Sequence, residues 1–240
     1  MNRAATPSRW TGTITLAPMG AIFRGTGGDT PEHRHLAHKI VMGATAVGPS
    51  EGLRPAGDPI AVPAGARHRV LAAQRRVVLV YLDARRFRWC DAQRLAAAWG
   101  RVTPDVAVDA LLDELGRASA WAADRRALTA IEAMARGDTL VEASRDLGLS
   151  ESRVTHLVTE ELGSPPRTWR TWLRLRSAID LLGEGATITS AAHAAGFADS
   201  AHFSRTCMTS LGIPPSTLRN TWIDHARVGR CTLDGDARRS

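Results

Sequence analysis

The C-terminal half of the sequence contains the same pattern twice. Residues 139–149 read TLVEASRDLGL and residues 187–197 read TITSAAHAAGF, an offset of 48. Downstream, Gly163-Ser-Pro-Pro corresponds to Gly212-Ile-Pro-Pro at an offset of 49, so one residue is inserted near the start of the second helix of the later copy. A repeat of this period indicates that one supersecondary unit is built twice.

Each copy has the sequence features of two helices joined by a tight turn. The first helix begins after a threonine that can cap it, Thr139 or Thr187, and ends at a glycine, Gly148 or Gly196, which tolerates a left-handed backbone. The second helix has an apolar inner face, formed by Val154, Leu157, Val158 and Leu162 in the first copy and by Phe203, Cys207 and Leu211 in the second. The pattern predicts two helix-turn-helix units, whose second helices can enter the major groove of DNA.

The segment between the copies, residues 165–183, is predicted to form one helix that starts at prolines. Its nineteen residues would span roughly 28 Å, and major-groove segments on one face of DNA recur about every 34 Å. Such a spacer would let one chain place two recognition helices in neighbouring grooves. The alternative is a helical repeat that binds nothing, but polar outer faces on only one helix of each pair argue against it.

Residues 124–224 closely resemble the AraC/XylS family of transcription regulators. The resemblance rests on motifs at the family's spacing in the second copy, namely Ala195-Gly-Phe, Phe203-Ser-Arg, Gly212, Pro214-Pro and Leu218-Arg. The sequence departs from the family's common pattern at residues 154–158 and 207–210. The resemblance implies a transcription regulator whose partner is double-stranded DNA, and it admits RNA polymerase and a second copy of the chain as further partners.

The resemblance also implies which side chains contact DNA. On the two recognition helices these are Ser152, Arg153, Thr155 and His156, and Ser200, Ala201, His202, Ser204 and Arg205. At the starts of the helices that follow each unit, the expected phosphate contacts are Arg167, Thr168, Ser216 and Thr217. Arg153 and Arg205 can make bidentate contacts to guanine or bind phosphate.

The N-terminal part of the sequence consists of short predicted strands separated by glycine and proline. The strands are predicted at residues 13–16, 39–47, 59–62, 68–72 and 77–82. Strands of this length and spacing favour a small β-sandwich or barrel. Two helices follow, at residues 91–99 and 105–118, the second with Thr103 as its N-cap and Pro104 at its first position.

The chain is therefore expected to be an α+β protein with two domains. The predicted parts are a sheet domain at 1–83, a helical connector at 84–122, a helix-turn-helix domain at 123–225 with units at 139–162 and 187–211, and a flexible tail at 226–240. The connector contains the apolar residues Leu95, Trp99, Leu111, Leu112 and Leu115. These residues either form a dimer interface or pack on the sheet domain of their own chain.

Three histidines in the N-terminal part resemble the metal-binding motifs of cupin barrels. His33 and His35 would lie on one face of a strand, and residues 57–68, with the spacing Gly-x5-Pro-x-Gly-x2-His, would bring His68 opposite them. Three neutral imidazoles suit a zinc, nickel, iron or copper ion. However, Lys39 and Ile40 stand where metal-using cupins carry a carboxylate. The histidines are candidates for a divalent-metal site, for the polar lining of an effector pocket, or for locally satisfied side chains.

Composition excludes few functions. The net charge of +7 and the pI near 10.7 suit a nucleic-acid partner, but residues 1–122 carry +6 of that charge and residues 123–240 only +1. The cysteines Cys90, Cys207 and Cys231 are too widely spaced for a disulfide framework or a thiolate zinc site. No apolar run is long enough to span a bilayer and no signal segment is evident, so we expect a cytoplasmic protein without a membrane partner.

Three functional hypotheses are consistent with the sequence. The first is a regulator whose cupin-like domain binds an unknown small-molecule effector, in a pocket whose aromatic lining would have to use Trp10, Phe23 or Trp89. The second is a metal-dependent cupin enzyme fused to a DNA-binding module, which the missing carboxylate disfavours. The third is a regulator without an effector, in which the sheet domain serves only to dimerise.

Overall fold

Two β-sheets make up the N-terminal part of the chain in a computed structural model that describes residues 10–55, 57, 59–100, 105–118, 123–219 and 222–225. The strands are β1 (Thr11–Ala17), β2 (Gly20–Thr26), β3 (Ala37–Met42), β4 (Ala46–Gly48), β5 (Arg54–Pro55), β6 (Ile60–Val62), β7 (Arg69–Leu71), β8 (Arg76–Asp83) and β9 (Trp222–His225). The larger sheet has the order β6-β3-β8-β2-β1-β9, and the smaller has the order β5-β4-β7. All neighbours are antiparallel except β1 and β9.

The two sheets enclose a common apolar core. Val47 and Val70 of the smaller sheet pack with Phe23, Val41 and Leu79 of the larger one. This arrangement confirms the expected small two-sheet domain, which we call the sheet domain (residues 10–83). Burial of these branched and aromatic side chains is the main force that holds the sheets together.

Most of the predicted strands are confirmed to within two residues, but one is wrong. Residues 39–47 form two strands instead of one, because the backbone turns at Gly43, whose φ is +81°, and β3 and β4 then join different sheets. The sequence does not predict β2, whose segment GAIFRGT contains two glycines and an arginine. It also does not predict the two-residue strand β5 or the distant strand β9.

The rest of the described chain is almost entirely helical. The helices are α1 (Trp89–Ala98), α2 (Val108–Ala118), α3 (Arg125–Arg136), α4 (Leu140–Asp146), α5 (Glu151–Leu162), α6 (Pro166–Gly183), α7 (Ile188–Ala194), α8 (Ser200–Leu211) and α9 (Pro215–Arg219). No helix in the described residues is both long enough and apolar enough to cross a membrane. The predicted cap at Thr103 and Pro104, the residue Cys231 and the predicted tail at 226–240 lie outside the described residues.

The connector helices α1 and α2 pack on the sheet domain of their own chain. Leu95, Trp99, Leu111 and Leu115 are buried in one cluster with strand residues such as Val80. Leu112 is half-buried against the same cluster. Of the two alternatives for these residues, packing within the chain is the one that the structure shows.

The repeat forms two helix-turn-helix units. We call α4 and α5 (residues 139–162) the first unit, and α7 and α8 (residues 187–211) the second. Thr139 Oγ1 accepts a hydrogen bond from the backbone of Glu142 at 3.2 Å, and Thr187 caps α7 in the same way. Gly148 and Gly196 adopt φ angles of +65° and +79° in the turns, a conformation that favours glycine. The predicted apolar faces of α5 and α8 are buried.

Helix α6 is confirmed as a continuous helix, with Pro165 as its N-cap. Its first half contributes Trp169 to the core of the first unit. Its second half contributes Leu175, Ala178 and Leu182 to the core of the second unit. The two units therefore share one helix, whose rigidity fixes the distance between them.

The helical part is attached to the sheet domain by β9 and by a buried ion pair. Strand β9 pairs with β1 and so returns the chain to the larger sheet. At the end of β8, Asp83 accepts hydrogen bonds from Arg85 at 2.6 Å and from Arg176 of α6 at 3.3 Å. Burial alone would raise the pKa of Asp83, but hydrogen bonds and charge from Arg85, with the charge of Arg176, hold it below its usual range.

Candidate functional site

The predicted DNA-contacting residues lie on the outer faces of α5 and α8 and at the starts of α6 and α9. Those with exposed side chains are Ser152, Arg153, His156, Arg167, Thr168, Ala201, His202, Arg205 and Ser216. Those with half-buried side chains are Thr155, Ser200, Ser204 and Thr217. Each face lies opposite its own apolar core, so each helix presents polar side chains that another molecule can reach.

The two recognition helices carry an arginine and a histidine one turn apart, in opposite order. With the offset of 49, Arg153 corresponds to His202, and His156 corresponds to Arg205. Side chains three residues apart on a helix are neighbours. Each exposed face therefore offers one guanidinium, and the two guanidinium groups occupy non-equivalent positions in the two units.

Helix caps fix the start of each recognition helix. Ser150 accepts a hydrogen bond from the backbone of Arg153 at 3.2 Å, and Asp199 accepts one from His202 at 2.6 Å. The backbone hydrogen bond from His202 is the main cause that lowers the pKa of Asp199. In the second unit, Arg174 of α6 also donates to the carbonyl of Gly196 at 2.9 Å and so holds the turn.

The predicted histidines meet at one point inside the sheet domain, and Lys39 lies among them. We call His33, His35, His68 and Lys39 the histidine–lysine cluster; the exposed fractions of these residues are 3%, 3%, 1% and 1%. A backbone bridge between His33 and His68 brings the two motifs together. The amino group of Lys39 lies 3.2 Å from Nε2 of His33 and 3.0 Å from Nε2 of His68.

The three imidazoles are held neutral and in one tautomer. Each Nδ1 lies 2.9–3.0 Å from a backbone carbonyl two residues away, and a carbonyl can only accept, so each Nδ1 carries the hydrogen. Burial, followed by the charge of Lys39, lowers the pKa of His33 to about 2 and that of His68 to about 3. Burial and the same charge also lower the pKa of His35 far below its usual value. Burial lowers the pKa of Lys39 to about 7.

The cluster does not fit the metal ion that cupin-like motifs imply. One ring nitrogen of each histidine lies within 4.8 Å of the other two, and carbonyl-bound Nδ1 atoms are typical of metal-binding histidines. However, the amino group of Lys39 is hydrogen-bonded to two of the three Nε2 atoms. The cupin motifs that these histidines resemble carry a carboxylate at the place that Lys39 and Ile40 occupy. An amino group at that place both fills the space of an ion and removes its fourth ligand.

An apolar cavity of about 110 Å³ lies between the sheet domain and the helical part. The sheet domain contributes apolar side chains that include Ile14, Leu16, Phe23, Leu79 and Tyr81, together with Trp10. Helices α6, α8 and α9 and the segment between them contribute Trp172, Leu175, Ile179, Leu211, Ile213 and Leu218. Lys39, Thr30, Thr217, Asp83 and Arg176 supply its polar margin. Both the sheet domain and the second unit with its shared helix therefore form the walls.

The sequence identifies part of this site. Trp10 and Phe23, named as aromatic candidates, line the cavity, whereas Trp89 lines a separate groove beside His38. The histidines themselves do not line the cavity; Lys39 separates them from it. The signal that could identify Lys39 is its position within AHKIVM, a strand that is buried throughout.

The histidine–lysine cluster touches the second unit directly. The backbone of Arg34 donates to the carbonyl of Thr209 in α8 at 3.2 Å. A Cβ atom at Gly212 would lie 2.9 Å from Nδ1 of His33, so only a glycine fits there. On the other side of the cluster, Trp172 of α6 lies 5.9 Å from His35, measured between ring centres.

Comparisons with known proteins agree with the helix-turn-helix fold of the C-terminal part. A family model described as a helix-turn-helix domain, of the AraC type, matches residues 143–221. No curated protein sequence matches the chain significantly. An apo structure of ToxT from Vibrio cholerae is similar in fold, with a TM-score of 0.52 and 11% identity over 81% of this chain and 94% of that chain.

Two further structures are similar in part. ToxT from Vibrio cholerae with a bound unsaturated fatty acid has 14% identity over 81% of this chain and 92% of that chain, with a TM-score of 0.49. An AraC-type regulator from Chromobacterium violaceum has 25% identity over 39% of this chain and 88% of that chain, with a TM-score of 0.36. The family model identifies residues 143–221 as an AraC-type helix-turn-helix domain, and the chain is a DNA-binding transcription regulator.

Proposed function

We propose that a small, largely apolar effector binds in the cavity between the sheet domain and the second unit and thereby controls how the two recognition helices bind specific DNA sequences. The observation that carries the proposal is the composition of the cavity wall. Side chains of the sheet domain and of α6, α8 and α9 face the same space. A molecule bound there contacts both regions and so affects their relative position.

The chemistry of the wall favours an apolar ligand with one hydrogen-bond acceptor. Most lining side chains are apolar or aromatic, as is usual for small-molecule sites. The indole nitrogen of Trp10 is buried and makes no hydrogen bond within the described residues. A buried N–H without a partner costs free energy, and an acceptor atom on the effector would remove that cost.

Control of DNA binding then follows from differential affinity. An effector shifts an equilibrium only if it binds one arrangement of the two regions more tightly than the other. Here the second unit supplies Leu211 to the cavity wall, and the shared helix supplies Leu175 and Arg176. Any movement of the second unit away from the sheet domain removes these contacts, so the effector stabilises the arrangement seen here.

A cavity-filling variant tests the effector proposal. Ala21→Phe places a ring in the cavity, and we expect it to abolish the thermal shift caused by any effector found in a panel of apolar compounds that includes fatty acids of graded length. Val47→Ile, in the core between the two sheets, is the control and should keep that shift. A thermal shift that persists in Ala21→Phe would contradict this location for the effector.

The DNA contacts are proposed from exposure and position. Arg153 and Arg205 are the exposed guanidinium groups at the centre of the two faces. Each Arg→Ala change should weaken specific binding by about 1–3 kcal/mol if the side chain contacts a base, measured by fluorescence anisotropy on sites found by genome-wide mapping. Arg117→Ala, on α2 in the connector, is a control of equal charge change. Unchanged affinity in the Arg153→Ala/Arg205→Ala double variant would contradict the proposed contacts.

RNA polymerase and a second copy of the chain remain predicted partners. The connector residues that were candidates for a dimer interface are used within the chain. A homodimer would therefore need another surface, and sedimentation of the free and DNA-bound protein would show whether it forms.

A further inference from the structure

Three unprotonated ring nitrogens point to a common position in the sheet domain. One ring nitrogen from each of His33, His35 and His68 lies within 4.8 Å of the others, and each Nδ1 is bound to a backbone carbonyl. Three imidazole lone pairs fixed in this way would bind a zinc, nickel, cobalt or copper ion. The backbone therefore holds the ligands of a metal site in place although the fourth ligand is missing.

The amino group of Lys39 lies beside this group of nitrogens but leaves Nε2 of His35 without a hydrogen-bond partner among the described residues. It contacts two of the three Nε2 atoms at 3.2 Å and 3.0 Å. It also lies 4.8 Å from the ring centre of Tyr81, in the position of a cation–π contact. An amino group has hydrogens for both imidazoles and for the ring face, so it satisfies groups that would otherwise be buried without partners.

The histidine–lysine cluster also supports the surface that contacts the second unit. His33 lies against Gly212, immediately after α8, and the neighbouring residue Arg34 is hydrogen-bonded to Thr209. On the other face, His35 packs near Trp172 of the shared helix. A side chain that is hydrogen-bonded to His33 and His68 therefore also supports these contacts.

We propose that the amino group of Lys39 occupies the position of a metal ion in a three-histidine site. The wild-type protein therefore excludes divalent transition metals, and loss of the lysine side chain opens the site to one ion. The amino group fills the position of a metal ion and stabilises the cluster as an ion would, whether or not metal is available. This inference does not depend on the identity of the effector or on the DNA contacts.

The test is a titration of full-length protein with Co²⁺, followed by d–d absorption, and with Ni²⁺, followed by equilibrium dialysis. Wild-type protein should bind no ion at the cluster. Lys39→Ala should bind one ion per chain. Lys39→Glu supplies a carboxylate at the place where metal-using cupins carry one, and should bind one ion more tightly still. Adding His68→Ala to either variant should remove the binding.

Two results would overturn the proposal. The first is stoichiometric metal binding by wild-type protein that His68→Ala abolishes, because the lysine would then not exclude the ion. The second is the absence of binding in whichever lysine variant keeps the wild-type circular-dichroism spectrum. The Lys39→Glu variant matters because Lys39→Ala leaves a buried cavity and can fail to fold. If neither variant folds, the wild-type titration and His68→Ala decide the outcome.

Discussion

The two helix-turn-helix units have the same fold but different neighbours. The first packs against α3 and touches the sheet domain through Leu36 and the connector through Ala84. The second packs against the sheet domain: Ile14 and Tyr81 join its core, and Leu211 lines the cavity. A repeat therefore need not mean two equal functions, because the environment of each copy decides what can act on it.

The difference assigns distinct roles to the two copies. Because the cavity and the histidine–lysine cluster both lie against the second unit, a signal in the sheet domain reaches this unit first. The first unit keeps its own core around Val154 and Trp169. We expect the first unit to supply constant affinity for DNA and the second to supply the regulated part. Matched substitutions at equivalent positions separate these roles.

The largest effect is expected from the last core leucine of each recognition helix. Leu162 and Leu211 occupy equivalent positions and are 8% and 9% exposed. Leu162→Ala should lower the free energy of unfolding by about 2–5 kcal/mol. Leu211→Ala should lower the free energy of unfolding by less, because this side chain already borders a cavity on one side. It should, however, alter the affinity for the effector. Equal losses in urea denaturation, with unchanged effector binding in both variants, would remove the distinction between the units.

The next comparison is the difference between the glycines that follow the two recognition helices. Gly163 and Gly212 have φ angles of +69° and +72°, so alanine adds about 1–2 kcal/mol of backbone strain at either position. At Gly212 the new Cβ would also meet His33 and Thr30 at 2.9 Å, whereas at Gly163 it meets nothing within 4 Å. Gly212→Ala should therefore lower the free energy of unfolding by about 1–3 kcal/mol more than Gly163→Ala does.

Hydrogen exchange localises the effect of these glycine changes. Gly212→Ala should speed the exchange of amide protons in the segment around Arg34, and Gly163→Ala should leave that segment unchanged. If the two variants expose the same amides, the close contact between the second unit and the cluster does not exist in solution.

The smallest effect is expected at the helix caps. Thr139 takes part in a capping box, since the carboxylate of Glu142 accepts a hydrogen bond from its backbone at 2.7 Å, whereas Ser190 holds the equivalent place after Thr187. Each Thr→Ala change should cost about 0.5–2 kcal/mol, with the larger loss at Thr139. Thermal denaturation measures the difference, and a larger loss at Thr187 would show that the sheet domain depends on α7.

The repeat and its turns could be predicted from the sequence because they rest on local rules. Glycine at a positive φ, a capping hydroxyl and an apolar period of 3.6 residues act within one turn of a helix. This is why both units and α6 are correct to within a residue or two. These local rules do not predict the break at Gly43, because an apolar run in the sequence does not show which sheet each half of the run joins.

The cavity and the occupant of the histidines could not be predicted, because they depend on distant contacts. The sequence predicts His33 and His35 on one face of a strand, but this is wrong, because both residues precede β3 and His33 forms only an isolated bridge to His68. Nor does the sequence state that Lys39 lies against the imidazoles of His33 and His68. Nor does it state that Trp10 and Leu211, two hundred residues apart, border the same space. Such contacts follow from how the helices pack on the sheets, which local patterns do not encode.

The pairing of β9 with β1 bears on the order in which the protein folds. Thr13 lies beside Trp222 in the larger sheet, so during synthesis this edge of the sheet stays open until the last helix has been made. Contacts between residues so far apart in the chain form slowly. An open strand edge can pair with another chain, and fragments that end before β9 should therefore aggregate more readily than the full chain.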